Sequence, residues 1–375
     1  MASPYTVLVT GSAGHLGAAL MLSLPSLGYV PHGIDILPSP TTTTVGSITD
    51  RALIASLLAN NPSITHIVHA ATLHKPHVDS HPKSAFIDTN ITGTLILLEE
   101  AAACLGKTTT PQSQSQSQSR IKSFLFISTT STFGRALAPA KGHPAAWITE
   151  SVTPLPKNIY GVTKCAAEDL CSLVHRQTSL PVLVLRTSRF FPEPDDDEDR
   201  RAAMPDDANL KVCELAYRRV DIADVVSAVV CGMERAEGIG FGKYIISAPP
   251  PFAAAAAAAA ATTTSATTDD DDEAAAAARS MLVRRLDADA GAVLAEVVPG
   301  CAAVFEKLGW RFLDRLDRVY DSSKAVRELG WRPQWTMEKV VERLARGEDW
   351  RSELTYEVGK KGYHAVSTGV YTSRD

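Results

Sequence analysis

Short apolar runs rich in β-branched residues alternate with longer segments of helical periodicity through the first half of the chain. The apolar runs predict strands at residues 6–10, 30–36, 66–71, 123–128 and 182–186. Apolar residues at helical spacing predict helices at residues 18–27, 50–60, 83–105 and 160–177. Strands that alternate with helices are typical of a parallel sheet covered by helices on both faces. The pattern therefore predicts an α/β fold with a doubly wound parallel sheet.

Two stretches do not follow this alternation. Residues 108–119 consist of Thr followed by Gln-Ser repeats, and residues 252–278 consist of Ala, Thr and Asp runs. Segments of such low complexity bury too little apolar surface to pay for their own ordering. We therefore expect two surface insertions, in which the alanine blocks form at most transient helix.

Charge and cysteine usage narrow the class of protein. The formal net charge of the 375 residues is −5, which argues against a general binder of nucleic acid or of anionic membranes. The N-terminus lacks the basic region of a signal peptide, and no apolar stretch approaches the roughly 18 residues of a membrane span. The six cysteines form no C-x-x-C pair and no Cys/His spacing typical of a metal site. We therefore expect them to be reduced thiols. We expect a cytoplasmic protein with no metal, no membrane span and no nucleic-acid partner.

A glycine-rich turn follows the first predicted strand. Gly11, Gly14 and Gly17 form a G-x-x-G-x-x-G pattern directly before a predicted helix. Glycine lets the backbone come close to a pyrophosphate, whose charge then lies at the helix N-terminus. An ordinary strand-to-helix turn is the alternative, but the position after an N-terminal strand favours a dinucleotide site. The predicted cofactor contacts in this turn are Gly11, Gly14, His15, Leu16 and Gly17.

Asp35 lies at the end of the second predicted strand, 18 residues after Gly17. A carboxylate at this place accepts hydrogen bonds from the adenosine ribose hydroxyls and repels a 2′-phosphate. The sequence places no arginine nearby to receive that phosphate. NAD is therefore predicted in preference to NADP, with a solvated turn residue as the alternative for Asp35.

Tyr160 and Lys164 form a Tyr-x-x-x-Lys pair at the start of a predicted helix. Residues four apart share one helical face, so the ammonium group can lie beneath the phenol. We expect this cation, together with a positive nicotinamide ring, to lower the phenol pKa toward neutrality. Thr129, Thr130 and Ser131 follow the middle strand, where a hydroxyl can share the proton with Tyr160. Taken alone, such a pair is more often part of a helix surface.

The order of these four features resembles the extended short-chain dehydrogenase/reductase family, and more narrowly its NAD-dependent epimerase/dehydratase branch. Residues 69–71, 90–94, 128–134, 220–224 and 321–333 also match that branch, so the resemblance covers about residues 5–345 outside the insertions. The resemblance implies that Thr129, Tyr160 and Lys164 are catalytic. It further implies a cofactor site that includes Ala70, Ala71, Asn90 and Lys164.

Three departures from the family pattern concern the substrate. Ser47 replaces an acidic residue near the adenine. Thr130 and Ser131 stand where the dehydratases resemble one another in an Asp-Glu pair, which disfavours 4,6-dehydration. Arg189 stands where sugar-nucleotide epimerases usually have Asn, and a guanidinium can bind phosphate or carboxylate bidentately. The candidate substrate ligands are His74, Ser131 and Arg189.

These observations predict three parts of the chain. Residues 1–186 are expected to form an NAD-binding Rossmann domain, residues 187–345 a smaller substrate lobe interleaved with it, and residues 346–375 a C-terminal tail. The predicted helices 83–105 and 160–177 are expected to build a homodimer interface, as they do in many relatives. Ile91, Leu95 and Leu98 lie at helical spacing in the first of them, although they can equally face the sheet.

The predicted function is that of an NAD-dependent epimerase-type enzyme, which oxidises and re-reduces a hydroxyl of a sugar or sugar nucleotide. The first alternative is an NAD-dependent dehydrogenase or ketoreductase of a small metabolite, which consumes free cofactor. The second is a non-catalytic NAD-sensing scaffold, which needs no acid/base group. The presence of Thr129, Tyr160 and Lys164 together therefore disfavours the scaffold.

Overall fold

The computed structural model describes residues 5–105, 120–193, 198–252 and 268–359. Its strands are β1 Thr6–Thr10, β2 Val30–Asp35, β3 Thr44–Val45, β4 Ile64–His69, β5 Ser123–Thr129, β6 Ala146–Ile148, β7 Val182–Thr187, β8 Arg189–Phe190, β9 Arg219–Val220, β10 Phe241–Ile246 and β11 Arg318–Tyr320. Its α-helices are α1 His15–Ser23, α2 Arg51–Asn60, α3 Lys83–Ile87, α4 Gly93–Ala103, α5 Ile159–Thr178, α6 Glu198–Ala202, α7 Asp207–Leu215, α8 Ile222–Ile239, α9 Thr268–Ala288, α10 Ala290–Val297, α11 Cys301–Leu308, α12 Ser323–Glu328, α13 Met337–Ala345 and α14 Glu353–Val358.

Seven strands form the central sheet in the order β10-β7-β5-β4-β1-β2-β3, and every neighbouring pair is parallel. The chain runs outward in one direction from β1 through β2 and in the other from β4 through β10, so the order reverses between β1 and β4. Ligands of such sheets bind at this reversal, beyond the carboxyl ends of the strands. The predicted doubly wound parallel sheet is confirmed.

Both faces of the sheet are covered, as expected for parallel strands. In β1, Val7 and Val9 pack into one apolar cluster while Leu8 packs into another on the opposite face. A third cluster belongs to the smaller C-terminal lobe and gathers Phe191, Tyr217 and other residues up to Trp350. The third cluster gives the C-terminal lobe a core of its own, next to the sheet.

The predicted helix 83–105 is interrupted. A π-helical turn at Asp88–Thr92 separates α3 from α4, and it carries the buried Asn90. The Asn90 side chain exchanges hydrogen bonds of 2.8 Å with both the N–H and the carbonyl of Leu73. A widened turn of this kind is common at functional sites. The spacing of apolar residues along the sequence does not predict this π-helical turn.

The described ends of the predicted insertion 252–278 lie within the folded body. Phe252 and Ala278, at its two ends, are both buried, and α9 already begins at Thr268. Leu282 and Leu286 of the same helix belong to the core of the C-terminal lobe. The helix therefore begins in low-complexity sequence and continues directly into this apolar stretch. Residues 253–267 lie outside the described residues, as do residues 106–119, which contain the other predicted insertion.

Segments after residue 186 take part in the sheet layer as well as in the C-terminal lobe. β10 and the helix α8 that packs on the sheet both follow residue 186. From the proposed tail, Ser352 and Thr355 donate hydrogen bonds to the Asp221 carboxylate at the start of α8. Residues 346–359 are thus part of the folded body. Within the described ranges, no helix has both the length and the apolar character that crossing a bilayer requires.

Candidate active site

A cleft of about 990 Å³ opens at the carboxyl ends of the sheet strands. Its walls come from the β1–α1 turn, from the ends of β2, β4 and β5, from the start of α5, and from the C-terminal lobe. The volume lies at the upper end of the range of about 300–1,000 Å³ that is usual for ligand sites. The cleft therefore has room for a large cofactor and a substrate together.

The glycines of the β1–α1 turn leave no space for side chains. Gly11 has a φ of +73°, and a Cβ added to it would lie 2.7 Å from the Ala71 amide nitrogen. A Cβ on Gly17 would lie 1.9 Å from the Gly11 carbonyl oxygen. Gly14 precedes α1 and has no side chain to cap it, which leaves the first N–H groups of the helix for a ligand. This shape fits the diphosphate of a dinucleotide.

Asp35 lines the cleft at the end of β2. One carboxylate oxygen accepts the Ala13 N–H at 3.0 Å, and the other accepts the Leu37 N–H at 2.9 Å. A carboxylate oxygen has two acceptor positions, so one remains on each for a ribose hydroxyl. The two backbone bonds hold the carboxylate in place between the glycine turn and the cleft.

The end of β4 is held by buried side chains. His69 bonds Thr10 through Nδ1 at 2.8 Å and Thr94 through Nε2 at 2.9 Å. The Thr10 hydroxyl in turn accepts the Ala71 N–H at 3.1 Å. Ala70 and Ala71 are thereby held in the wall of the cleft directly beside Gly11 of the glycine turn.

Asn90, predicted as a cofactor contact, lies behind the wall of the cleft. Its amide group is used within the chain, by Leu73 and by the Thr163 hydroxyl, which accepts from Nδ2 at 3.0 Å. The side chain is buried, and it is not among the described residues that line the cleft. Asn90 instead joins the loop after β4 to helix α5, and so positions the helix that carries Tyr160.

Tyr160 lines the cleft from the first turn of α5, near the Thr129 hydroxyl. Burial raises the pKa of Tyr160 to about 12, because neither the Thr129 hydroxyl nor any other nearby group offsets the lost hydration. The expectation that Lys164 lowers this pKa toward neutrality is therefore not met by the chain alone. The cause is that desolvation disfavours the phenolate more than its polar neighbours favour it.

Lys164 lies under the floor of the cleft. Its Nζ donates to the Ile127 carbonyl at 2.6 Å and lies 4.1 Å from the centre of the Phe126 ring. Burial lowers the pKa of Lys164 to about 7, although the Glu168 carboxylate acts in the opposite direction. Lys164 is not among the described residues that line the cleft, and its placement beneath Tyr160 stays a prediction from the i,i+4 spacing.

The C-terminal lobe contributes the charged end of the cleft. Arg200, Arg218 and Arg318 lie around Asp317, and all four line the cleft. Arg200 and Arg218 also pair with the buried Glu214 carboxylate. Their positions in the chain show no spacing pattern, so only the folded lobe brings them together.

Glu193 is a cleft residue that the sequence analysis did not find. It follows β8 and borders an acidic run, which by composition alone is typical of a solvated loop. The cleft gathers most of the residues predicted from the sequence. They are Gly11, Gly14, His15, Leu16, Gly17, Asp35, Ala70, Ala71, His74, Thr129, Ser131, Tyr160 and Arg189.

Comparison with known proteins relates this chain to enzymes of nucleotide sugars. It is 29% identical to a UDP-glucose 4-epimerase of Rhizobium leguminosarum bv. trifolii over 188 residues, which are 48% of this chain and 50% of that protein. It is 28% identical to a dTDP-glucose 4,6-dehydratase of Xanthomonas campestris pv. campestris over 200 residues, which are 50% of this chain and 53% of that protein. The chain thus spans about half the length of these curated relatives.

Solved structures share the fold at low identity. A short-chain dehydrogenase/reductase superfamily protein from Agrobacterium tumefaciens with bound NAD superposes with a TM-score of 0.56 at 17% identity, covering 91% of this chain and 96% of that one. A UDP-glucose 4-epimerase from Thermotoga maritima with UDP-glucose gives a TM-score of 0.52 at 19% identity, covering 91% and 99%. At such identities the likeness confirms the Rossmann-like fold.

The family itself follows from a match to a family model over residues 7–246, which is more than half of the chain. The matched region includes the glycine turn, Asp35, Thr129 and the Tyr160–Lys164 pair. The family name states NAD as the cofactor, which confirms the cofactor predicted from the sequence. The chain belongs to the NAD dependent epimerase/dehydratase family.

Proposed function

We propose that this protein is an NAD-dependent epimerase that oxidises and re-reduces a hydroxyl of a sugar nucleotide. The observation that carries the proposal is the composition of one cleft. The glycine turn, Thr129 and Tyr160, and three arginines of the C-terminal lobe all line it. The relatives named above as 4-epimerase and 4,6-dehydratase have glucose linked to a nucleotide in their names. A diphosphate-linked sugar would place its negative charge near the arginines.

In this proposal the chain's residues bind, orient and move one proton. NAD, when bound, supplies the hydride acceptor and donor. As a phenolate, which the positive charge of the bound cofactor would favour, the Tyr160 oxygen would accept the substrate's hydroxyl proton and later return it, and the nearby Thr129 hydroxyl would orient the substrate oxygen. Lys164 supports the floor through the Ile127 carbonyl. The backbone N–H groups at the start of α1 hold the diphosphate of the cofactor, and Asp35 holds the adenosine ribose.

Dehydration is a less suitable reaction for this cleft. Sugar 4,6-dehydration needs an acid and a base beside the catalytic Thr, and the next two residues here are Thr130 and Ser131. A hydroxyl at Ser131 can orient a substrate oxygen but does not ionise near neutral pH, so it cannot take the place of a carboxyl acid or base. The remaining rival is a dehydrogenase or ketoreductase of a small metabolite, for which the same Tyr160 would act once per turnover.

The test separates these reactions by the fate of the cofactor. An epimerase regenerates its NAD within each turnover, so we expect purified protein to retain NAD through gel filtration. We also expect it to interconvert a UDP-sugar and its epimer without added cofactor, as followed by chromatography of the products. Protein that is isolated free of cofactor and releases NADH in proportion to product would instead be a dehydrogenase.

We further propose a homodimer built on α3 and α5. Ile87 on α3 and Val162 and Leu173 on α5 are exposed apolar side chains, between 40% and 48% accessible. Leu98, which the sequence offered for this surface, is fully buried against the sheet and is not available to a partner. α3 and α5 pack against each other, so a partner that covers both helices would bury these side chains.

A further inference from the structure

His15, the first residue of α1, has one ring nitrogen without a partner. Its Nδ1 lies 3.5 Å from Oε1 of Glu193, whereas Nε2 is buried and has no hydrogen-bond partner among the described residues. The His15 ring is 5% exposed, lines the cleft and lies against Phe190 with 5.2 Å between ring centroids. An unpaired buried nitrogen costs free energy unless a ligand pairs with it. Its place beside the open N-terminus of α1 makes the cofactor's diphosphate–ribose backbone that ligand.

Glu193 reaches His15 from 178 residues away in the chain. His74 and Arg189 also act on its carboxylate, and Tyr160 lies near enough to respond to its charge. Burial would raise the pKa of Glu193, but the His15 bond and the three basic groups outweigh burial and lower it to about 2. Glu193 is therefore an anion at any working pH. It links the glycine turn to the C-terminal lobe across the cleft.

We propose that Glu193 is a positioning residue: it accepts the Nδ1–H of His15 and so leaves Nε2 to accept a hydrogen bond from a ribose hydroxyl in the diphosphate–ribose backbone of the bound dinucleotide. A carboxylate on one ring nitrogen sets the orientation of the ring and the role of the other nitrogen. In this proposal the His15 side chain contacts the dinucleotide directly. This contact adds to those of the backbone N–H groups in the glycine turn. This inference rests on the proposed function, because it needs NAD in the cleft.

The test measures binding by calorimetry, with no turnover required. His15→Phe keeps the aromatic contact with Phe190 and removes both nitrogens, so we expect NAD and ADP-ribose to bind about tenfold more weakly. AMP lacks the second phosphate and the second ribose, so His15→Phe should bind AMP as tightly as the wild type does. Glu193→Ala should weaken NAD by about threefold, and Glu193→Gln, which keeps an acceptor oxygen, should restore most of that loss. Glu237→Ala, an exposed carboxylate on α8, is the matched control.

The double variant His15→Phe/Glu193→Ala is decisive, because a residue that acts only through His15 adds nothing once the ring is gone. We expect its NAD affinity to equal that of His15→Phe, with melting temperatures of the cofactor-free variants close to the wild type. Additive losses, an equal loss for AMP, or unchanged NAD binding in His15→Phe would overturn the proposal. Wild-type protein that binds no NAD would overturn the proposed function as well.

Discussion

Tyr160 and Lys164 are both buried, and burial moves their pKa values in opposite directions. The pKa of the Tyr160 phenol rises to about 12 and that of the Lys164 ammonium falls to about 7. Both shifts favour the neutral forms, because a buried charge loses its hydration. Tyr160 therefore keeps its proton in the chain alone and needs further positive charge beside it to act as a base.

Tyr160→Phe tests that role, since it removes only the phenol hydroxyl from the cleft. We expect turnover to fall by about 10²–10⁴-fold, which is typical for loss of a positioned proton-transfer group. NAD affinity should stay within about twofold, because the ring still packs in place. Steady-state rates together with calorimetric titration of NAD measure both quantities. A variant with near wild-type turnover would show that another group moves the proton.

Asp35 is the single residue that we expect to set the preference for NAD over NADP. Its carboxylate is held between the N–H groups of Ala13 and Leu37 and cannot turn away from a 2′-phosphate without losing both bonds. We expect NAD to bind at least about tenfold more tightly than NADP, a difference of about 1.4 kcal/mol. Asp35→Asn should reduce the preference by removing the charge. Calorimetry with both cofactors gives the ratio, and equal affinities in the wild type would contradict the assignment.

At the scale of single elements, the start of α8 binds later segments of the chain through two carboxylates. Asp224 in its first turn accepts the backbone N–H groups of Gln334 and Trp335 at 2.7 and 2.8 Å. Asp221, three residues earlier, holds Ser352. Two carboxylates on one helix end thus tie down segments more than 100 residues away, which explains how the later chain returns to the sheet.

Asp224→Ala tests this organisation. Removing the carboxylate leaves two N–H groups unpaired at a buried place, so we expect a loss of about 2–4 kcal/mol in the free energy of unfolding. Glu237→Ala, near the other end of α8, is exposed and should change stability by less than about 0.5 kcal/mol. Chemical denaturation of both variants measures the difference. If Asp224→Ala were as stable as the wild type, the C-terminal lobe would be held by apolar packing alone.

At the scale of the whole molecule, the exposed apolar side chains of α5 share one stripe. Val162 and Leu173 are 11 residues apart, which places them within about 20° of each other around the helix. A surface of this kind on two packed helices is typical of an association site. The homodimer proposed above would bury it.

The corresponding experiment uses light scattering on the purified protein. We expect about twice the chain mass of 40.1 kDa for the wild type and a single chain for Leu173→Asp. Leu22→Asp places the same charge at an exposed leucine of α1 and should leave the dimer intact. A monomeric wild type at micromolar concentration would contradict the proposed interface.

Local sequence determined the elements that build the cofactor half of the cleft. β1 and the bounds of α2 and α5 fall within one residue of prediction, because strands and helices follow from apolar periodicity over a few residues. The glycine turn and the Tyr160–Lys164 spacing are equally local. For that reason the amino-acid sequence by itself was enough to predict the family and the NAD cofactor.

Tertiary structure alone decided what those residues touch. Lys164 lies under the floor of the cleft, Asn90 braces α5, and Glu193 faces His15 across 178 residues. Such contacts depend on how distant segments pack, and no pattern within a few residues records them. The alanine-rich stretch before Leu286 is helical for the same reason, since the lobe's core supplies the apolar burial that its own composition lacks.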